Sequence, residues 1–226
     1  MNDEQTSARP GWLHVTLAAM IAVVLYVVGG IVVFDLPVTP EISGLWQFAL
    51  SAAVPMAAFF VAVLAMRKGF APFGFRMVPA IWLLAAAGVG LAGMGATTLL
   101  EIFILHPLFP DAEEVQVGYN AAATGGLLSF LGVIALGGVI EPFGEELLFR
   151  GVIANFMKRW GPWVMILGSS AIFALAHGVN LVTPSAFIMG LGSSILYWRT
   201  GSIWPSVVVH MAFNTSTLIL LSTGWS

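Results

Sequence analysis

Seven long apolar stretches occupy most of this chain, at 12–34, 44–66, 80–105, 126–149, 162–180, 184–198 and 203–222, and few folds can accommodate them. The hydrocarbon core of a bilayer is about 30 Å thick, which a helix crosses in about 20 mainly apolar residues. Lipid offers no hydrogen bonds, so only helices or closed barrels can span it. These stretches are continuous runs and lack the alternating ten-residue pattern of an outer-membrane strand. The expected class is all-α, a polytopic membrane helix bundle of about seven transmembrane helices. The fifth and sixth stretches are short, which suits a span with little tilt, a re-entrant segment or a thinned bilayer.

Composition agrees, since 59% of the residues are hydrophobic and 8% are charged, against about a quarter charged in a soluble domain. A net charge of -3 without a basic run leaves no footprint for nucleic acid. The absence of cysteine removes disulfides, thiolate metal sites and cysteine-protease chemistry. The N-terminal residues carry Asp3 and Glu4 in place of a basic leader, and the apolar stretch after them is too long for a signal-peptide core. The first span is therefore expected to be retained.

The basic residues set an orientation. With a cytoplasmic N-terminus, Arg9, Arg67, Lys68, Arg76, Arg150, Lys158, Arg159 and Arg199 all fall toward cytoplasmic ends. The opposite connections carry Asp35, Glu41, Asp111, Glu113 and Glu114 without a lysine or arginine, as the positive-inside bias requires. The expected location is a cell membrane crossed several times, of the prokaryotic cytoplasmic kind, with the C-terminus outside. In the third span Gly88, Ala92 and Ala96 recur at four-residue spacing, the pattern of a close-packing face.

The exceptions to apolarity carry the functional signal, because an ionisable side chain near the bilayer centre costs at least about 2.5 to 3.5 kcal/mol. Glu141, Glu145, Glu146 and Arg150 share one helix. Glu141 and Glu145 lie on one face, and Glu146 can pair with Arg150 one turn on, which leaves Glu145 as the freer base. Pro142 lacks a donor and frees the carbonyl of Gly138. His177 in the fifth span, and His210 with Asn214 in the last, fall at about the same depth as Glu145 at about 1.5 Å per residue. His14, His106 and Glu101 lie near membrane boundaries and receive no catalytic role.

Amide hydrolysis needs a base for water, donors for the oxyanion and a proton for the departing amine. Carboxylate, imidazole and carboxamide side chains cover these tasks. No serine nucleophile elbow is present, and Ser169, Ser170, Ser193 and Ser194 read as helix-packing residues. Glu145, His177 and His210 match by type the two-histidine, one-carboxylate set of a catalytic zinc site, although the helical H-E-x-x-H signature is absent. In the metal-free alternative Glu145, helped by His177, activates water while His210 and Asn214 hold the oxyanion. The two alternatives stay open, with cleavage expected near the cytoplasmic face.

Three short motifs in order, Glu145-Glu146-x-x-x-Arg150, Phe173-x-x-x-His177 and His210-x-x-x-Asn214, resemble those of the CAAX-protease and bacteriocin-processing (CPBP) family, which includes the type II CAAX prenyl endopeptidases. The stretch Arg199-Thr-Gly-Ser-Ile-Trp-Pro is also similar to the family's approach to its last motif. The resemblance implies a catalytic helical core over 126–222, preceded over 1–125 by three helices and an external loop, in one integrated membrane domain. It also implies an intramembrane endopeptidase with Glu145 as principal base. Glu146, His177, His210 and Asn214 would complete the site, supported by Arg150. The implied partner is a membrane-anchored peptide or protein, and a prenylated substrate is not carried over. A non-proteolytic scaffold or immunity protein of the same fold is the main alternative, and a proton-coupled transporter the lesser one.

Overall fold

The computed structural model describes residues 9–112 and 115–223; Asp3, Glu4, Glu113 and Glu114 lie outside the described residues. Every long element among the described residues is helical. The principal helices are α1 (Trp12–Phe34), α2 (Pro40–Met66), α3 (Ala80–Leu108), α4 (Val117–Thr124), α5 (Leu127–Trp160), α6 (Pro162–Ala176), α7 (Val182–Thr200) and α8 (Ile203–Ser222).

Five of these, α1, α2, α3, α5 and α8, are long and apolar enough to cross a membrane, against seven expected spans. The short fifth stretch is the 15-residue α6, which ends at Ala176 and not at residue 180. The sixth is the 19-residue α7, which carries Thr183, Ser185, Ser193, Ser194 and Arg199. The fourth runs eleven residues past its expected end, to Trp160. The chain is a multi-pass membrane protein, and its exposed Val, Leu, Ile and Phe side chains on α1 and α3 fit a lipid-facing surface.

Helix α5 occupies the middle of the bundle. It touches α2 along most of its length, while α8 packs across both α3 and α5 and α6 packs on α7. Close approach is achieved by missing side chains. A Cβ on Gly144 would lie 2.6 Å from the Ala52 carbonyl of α2, and one on Gly90 would lie 2.3 Å from the Val209 carbonyl of α8. Gly90, with buried Ala86 and Thr97, marks the packing face of α3. Gly88, Ala92 and Ala96 are exposed, and nothing lies within 4 Å of Gly88, so the expected packing face is the wrong one. Four-residue spacing identifies a face of small residues but not which side of the helix the neighbour occupies.

Two prolines shape the interior. Pro55 in α2 cannot donate to the carbonyl of Ser51, and the Tyr26 hydroxyl donates to that oxygen at 3.4 Å. In α5 the backbone adopts π-helical pairing over Ile134–Ile140, with the Glu141 N–H bonded to the Leu136 carbonyl five residues back. Pro142 comes next in that register, so it leaves the Gly137 carbonyl without a backbone donor as well as the Gly138 carbonyl. Helix α8 supplies both replacements: Asn214 Nδ2 donates to Gly137 O at 3.1 Å and Thr215 Oγ1 to Gly138 O at 3.2 Å.

The connection between α2 and α3 anchors the start of α8. Phe73 is fully buried against Phe59. Asn155 Nδ2 donates to Pro72 O at 2.6 Å. Ser202, which caps α8, donates through Oγ to Arg76 O at 2.7 Å. These bonds set the position of α8 along its axis, and with it the height of His210.

Candidate active site

Helix α5 delivers its carboxylates to two different environments. Glu145 is 4% exposed and faces a cavity of about 200 Å³. Glu146 is fully buried and does not line it. Its Oε1 lies 3.0 Å from Arg150 Nη1 and 3.0 Å from His210 Nδ1. One of the adjacent carboxylates thus stands at the cavity and the other is held behind it.

Arg150 is itself fully buried and does not snorkel toward water as a long cation at a helix end does. Its Nη2 donates to the Gly190 carbonyl of α7 at 2.9 Å, and its guanidinium carbon stands 4.9 Å from the centre of the Phe173 ring. The second π-helical segment of α5, Leu147–Ala154, carries Arg150. The ion pair compensates two charges that would each cost several kcal/mol if buried alone.

His210 receives its orientation from this pair. With Nδ1 donating to the Glu146 carboxylate, Nε2 points to Glu145 and lies 3.8 Å from Oε2. The imidazole of His210 therefore stands beside Glu145. His177 sits at the C-terminal end of α6, where Nδ1 donates to the Phe173 carbonyl at 2.9 Å. A carbonyl only accepts, so this bond leaves His177 Nε2 directed elsewhere. The Phe173 ring touches both imidazoles, with centroids 4.7 Å from His177 and 5.5 Å from His210. Asn214 lies one turn beyond His210 and lines the same cavity, with one amide N–H committed to Gly137.

The cavity thus collects Glu145, His177, His210 and Asn214 from three helices, while Glu146 and Arg150 stand behind it. It also collects residues to which the sequence reading gave no role. Glu141 and Glu101 both line it, and Glu101 Oε1 accepts a hydrogen bond from Ser185 Oγ at 2.9 Å. Ser51, Tyr119 and Gln116 add polar walls. The available signal is an ionisable residue inside an apolar run, strong for Glu141 and weaker for Glu101 near the end of its run. His14 accepts from the Gly11 N–H and neither it nor His106 lines the cavity.

The cavity runs toward one end of the bundle. From His210 it extends along Thr217 and Leu221 of α8, past Val182 at the start of α7, to exposed Gln116 in the connection between α3 and α4. All of these lie toward the end of the bundle opposite Arg67, Arg76 and Arg199. Depth alone could not reveal this, because groups halfway through a bilayer can be reached from either surface.

Similarity to known proteins bears on this half of the chain. Residues 127–216 match the family model described as "Type II CAAX prenyl endopeptidase Rce1-like". That region of the chain resembles an Rce1-like domain. The matched region begins with α5 and ends within α8, so it includes every residue of the three motifs. The chain is also similar to an "Uncharacterized 24.3 kDa protein" of Escherichia coli, with 30% identity over 155 residues, 64% of this chain and 65% of that protein. A "Putative membrane peptidase YdiL" of Bacillus subtilis (strain 168) is 24% identical over 143 residues, 62% of this chain and 55% of that protein. The chain thus spans less than two thirds of the length of these relatives. No solved structure matches it.

Glu145, His177 and His210 were also the candidate metal ligands. Among the described residues, no three His, Asp or Glu side chains stand close enough together to hold a metal ion. His210 is committed through Nδ1 to Glu146, and the Phe173 ring contacts both imidazoles. As folded, this donor set does not fit a zinc ion, which takes tetrahedral ligands at about 2.0 to 2.2 Å.

Proposed function

We propose that this protein is an intramembrane endopeptidase that hydrolyses a peptide bond of a membrane-anchored protein or peptide with a water activated by Glu145. The observation that carries the reading is the juxtaposition of Glu145 Oε2 and His210 Nε2, 3.8 Å apart, on one cavity, with both residues in the region that matches the Rce1-like family model.

A carboxylate at a cavity wall can accept the proton of a water as its oxygen attacks the scissile carbonyl. His210 Nε2 is close enough to share that proton in transit to the departing amine. The bond from His210 Nδ1 to Glu146 fixes the ring and its tautomer, and Arg150 keeps Glu146 in place. The second amide N–H of Asn214 is available to the oxygen of the tetrahedral intermediate. His177, which lines the cavity with Nδ1 held by the Phe173 carbonyl, keeps Nε2 for the substrate. A prokaryotic cytoplasmic membrane is the proposed setting, with the N-terminus on the cytoplasmic side.

The test compares peptides of the membrane proteome from cells carrying the wild-type protein with those from cells carrying Glu145→Ala or His210→Ala. New N-termini that depend on both residues support the reading. Identical termini in all three strains remove it.

A further inference from the structure

We infer that the basic end of the bundle holds one anionic phospholipid, with its phosphate among Arg9, Arg76 and Lys158 and an acyl chain in an apolar crevice between α6 and α7. The site shares no residue with the cavity of Glu145 and is independent of the endopeptidase reading.

Three cations from separate parts of the chain are gathered round the end of α7. Lys158, in the last turn of α5, holds Nζ 3.7 Å from the centre of the Tyr197 ring. Arg9, before α1, and Arg76, in the connection between α2 and α3, are charged groups that act on both Lys158 and Tyr197. The fold holds each arginine in place. Arg159 Nη2 donates to the Pro10 carbonyl at 2.7 Å, which fixes the chain next to Arg9. The Arg76 carbonyl accepts from Ser202 Oγ at 2.7 Å. Gly201 has a φ of 64°, and a Cβ there would lie 3.2 Å from Arg76 Nη1, so the missing side chain leaves room for the guanidinium.

Among the described residues, no ion pair involves Arg9, Arg76 or Lys158. The described carboxylates Asp35, Glu41, Glu101 and Asp111 lie toward the opposite end, and Glu141, Glu145 and Glu146 in the interior. Like charges held together repel, and an anion between them offsets that repulsion. The positive-inside bias accounts for basic residues in the connections at one end, but not for three of them converging on one buried phenol. Guanidinium and ammonium groups both bind phosphate, and basic pockets between membrane helices take anionic headgroups.

The neighbouring crevice points to a lipid as the source of the phosphate. It has a volume of about 390 Å³ and is walled by Trp163 and Ile166 of α6 and by Ile195 and Trp198 of α7, with Arg199 as its charged lining residue. Consecutive residues of α7 border both parts of the site, since Tyr197 meets Lys158 while Trp198 and Arg199 line the crevice. Trp163 and Trp198 are exposed, as tryptophans at a bilayer interface are. A soluble anion would leave this apolar surface bare, whereas a phospholipid covers it with hydrocarbon.

The test is native mass spectrometry of the purified full chain in nonionic detergent, with dioleoyl phosphatidylglycerol and dioleoyl phosphatidylcholine in equal amounts. One phosphatidylglycerol should be retained per chain, in about tenfold excess over phosphatidylcholine. Arg76→Gln/Lys158→Gln should remove most of that preference, at roughly fivefold per basic residue beside an anionic headgroup. Should this double variant not fold, Arg76→Gln and Lys158→Gln alone should each show part of the loss. Arg76→Lys/Lys158→Arg keeps both charges and should keep the preference. Arg67→Asn removes a charge outside the cluster and should keep it too. Trp163→Ala should lower retention of both lipids.

Equal retention of the two lipids by the unaltered chain would overturn the inference, as would an undiminished preference in the charge-deleted variants. Unchanged retention in Trp163→Ala would remove the crevice from the site. Inorganic phosphate bound as tightly as phosphatidylglycerol would assign the cations to a soluble anion and overturn the lipid.

Discussion

His210 Nδ1 and Glu146 Oε1 are 3.0 Å apart, and the same carboxylate oxygen lies 3.0 Å from Arg150 Nη1. One buried oxygen therefore joins an imidazole of α8 to a guanidinium of α5 that is in turn bonded to α7. Glu145, adjacent in sequence, belongs to the cavity and not to this network.

The difference predicts opposite phenotypes for neighbouring substitutions. Glu145→Gln should lower proteolysis by roughly 10²- to 10⁴-fold, the usual worth of a general base, with little change in thermal unfolding in detergent. Glu146→Ala should lower stability by about 3–5 kcal/mol, because it strands a buried guanidinium. Equal unfolding temperatures for the two variants would contradict this division.

The carbonyls freed by Pro142 predict a coupling between helices. Thr215→Val should cost about 1–3 kcal/mol by leaving Gly138 O without its donor. In a Pro142→Ala background the restored backbone N–H can serve that region of the helix, so the same change should cost less. A double-mutant cycle by thermal unfolding should give a coupling of about 0.5 kcal/mol or more, and simple additivity would refute the account.

Close approach of α5 to α2 depends on Gly144. A valine there would push against the Ala52 carbonyl, which is backbone and cannot rotate away. Gly144→Val should destabilise by about 1–3 kcal/mol or more and shift the neighbouring Glu145, with lower unfolding temperature and lower activity together. Gly88→Ala, on an exposed face, should change neither.

The ligand geometry predicts the response to metal removal. Because Glu145, His177 and His210 do not converge on one point, purified protein should hold less than one zinc per chain by elemental analysis, and proteolysis should survive strong chelators. Stoichiometric zinc lost with activity and restored with it would reverse this conclusion.

Much of the fold and the site was legible before any coordinates. Membrane-spanning helices follow from apolar run length alone, because lipid leaves the backbone no other partner. The motif residues stand out because an ionisable group in such a run is costly. Glu101 was passed over because it lay near the end of its run, where the cost is small, yet the π-helical turn at Glu101–Leu105 and its bond to Ser185 bring it into the cavity.

What the chain determines by itself is local and periodic: which segments are apolar, which residues share a helix face, and where a proline frees a carbonyl. Helix geometry alone puts Glu146 one turn from Arg150 and Glu141 one turn from Glu145. The tertiary structure decided which imidazole stands beside Glu145, which small-residue face of α3 is packed, and at which end the cavity opens. Each depends on how helices rotate and slide against one another. That is set by side-chain packing summed over the whole bundle, and no single segment's pattern contains it.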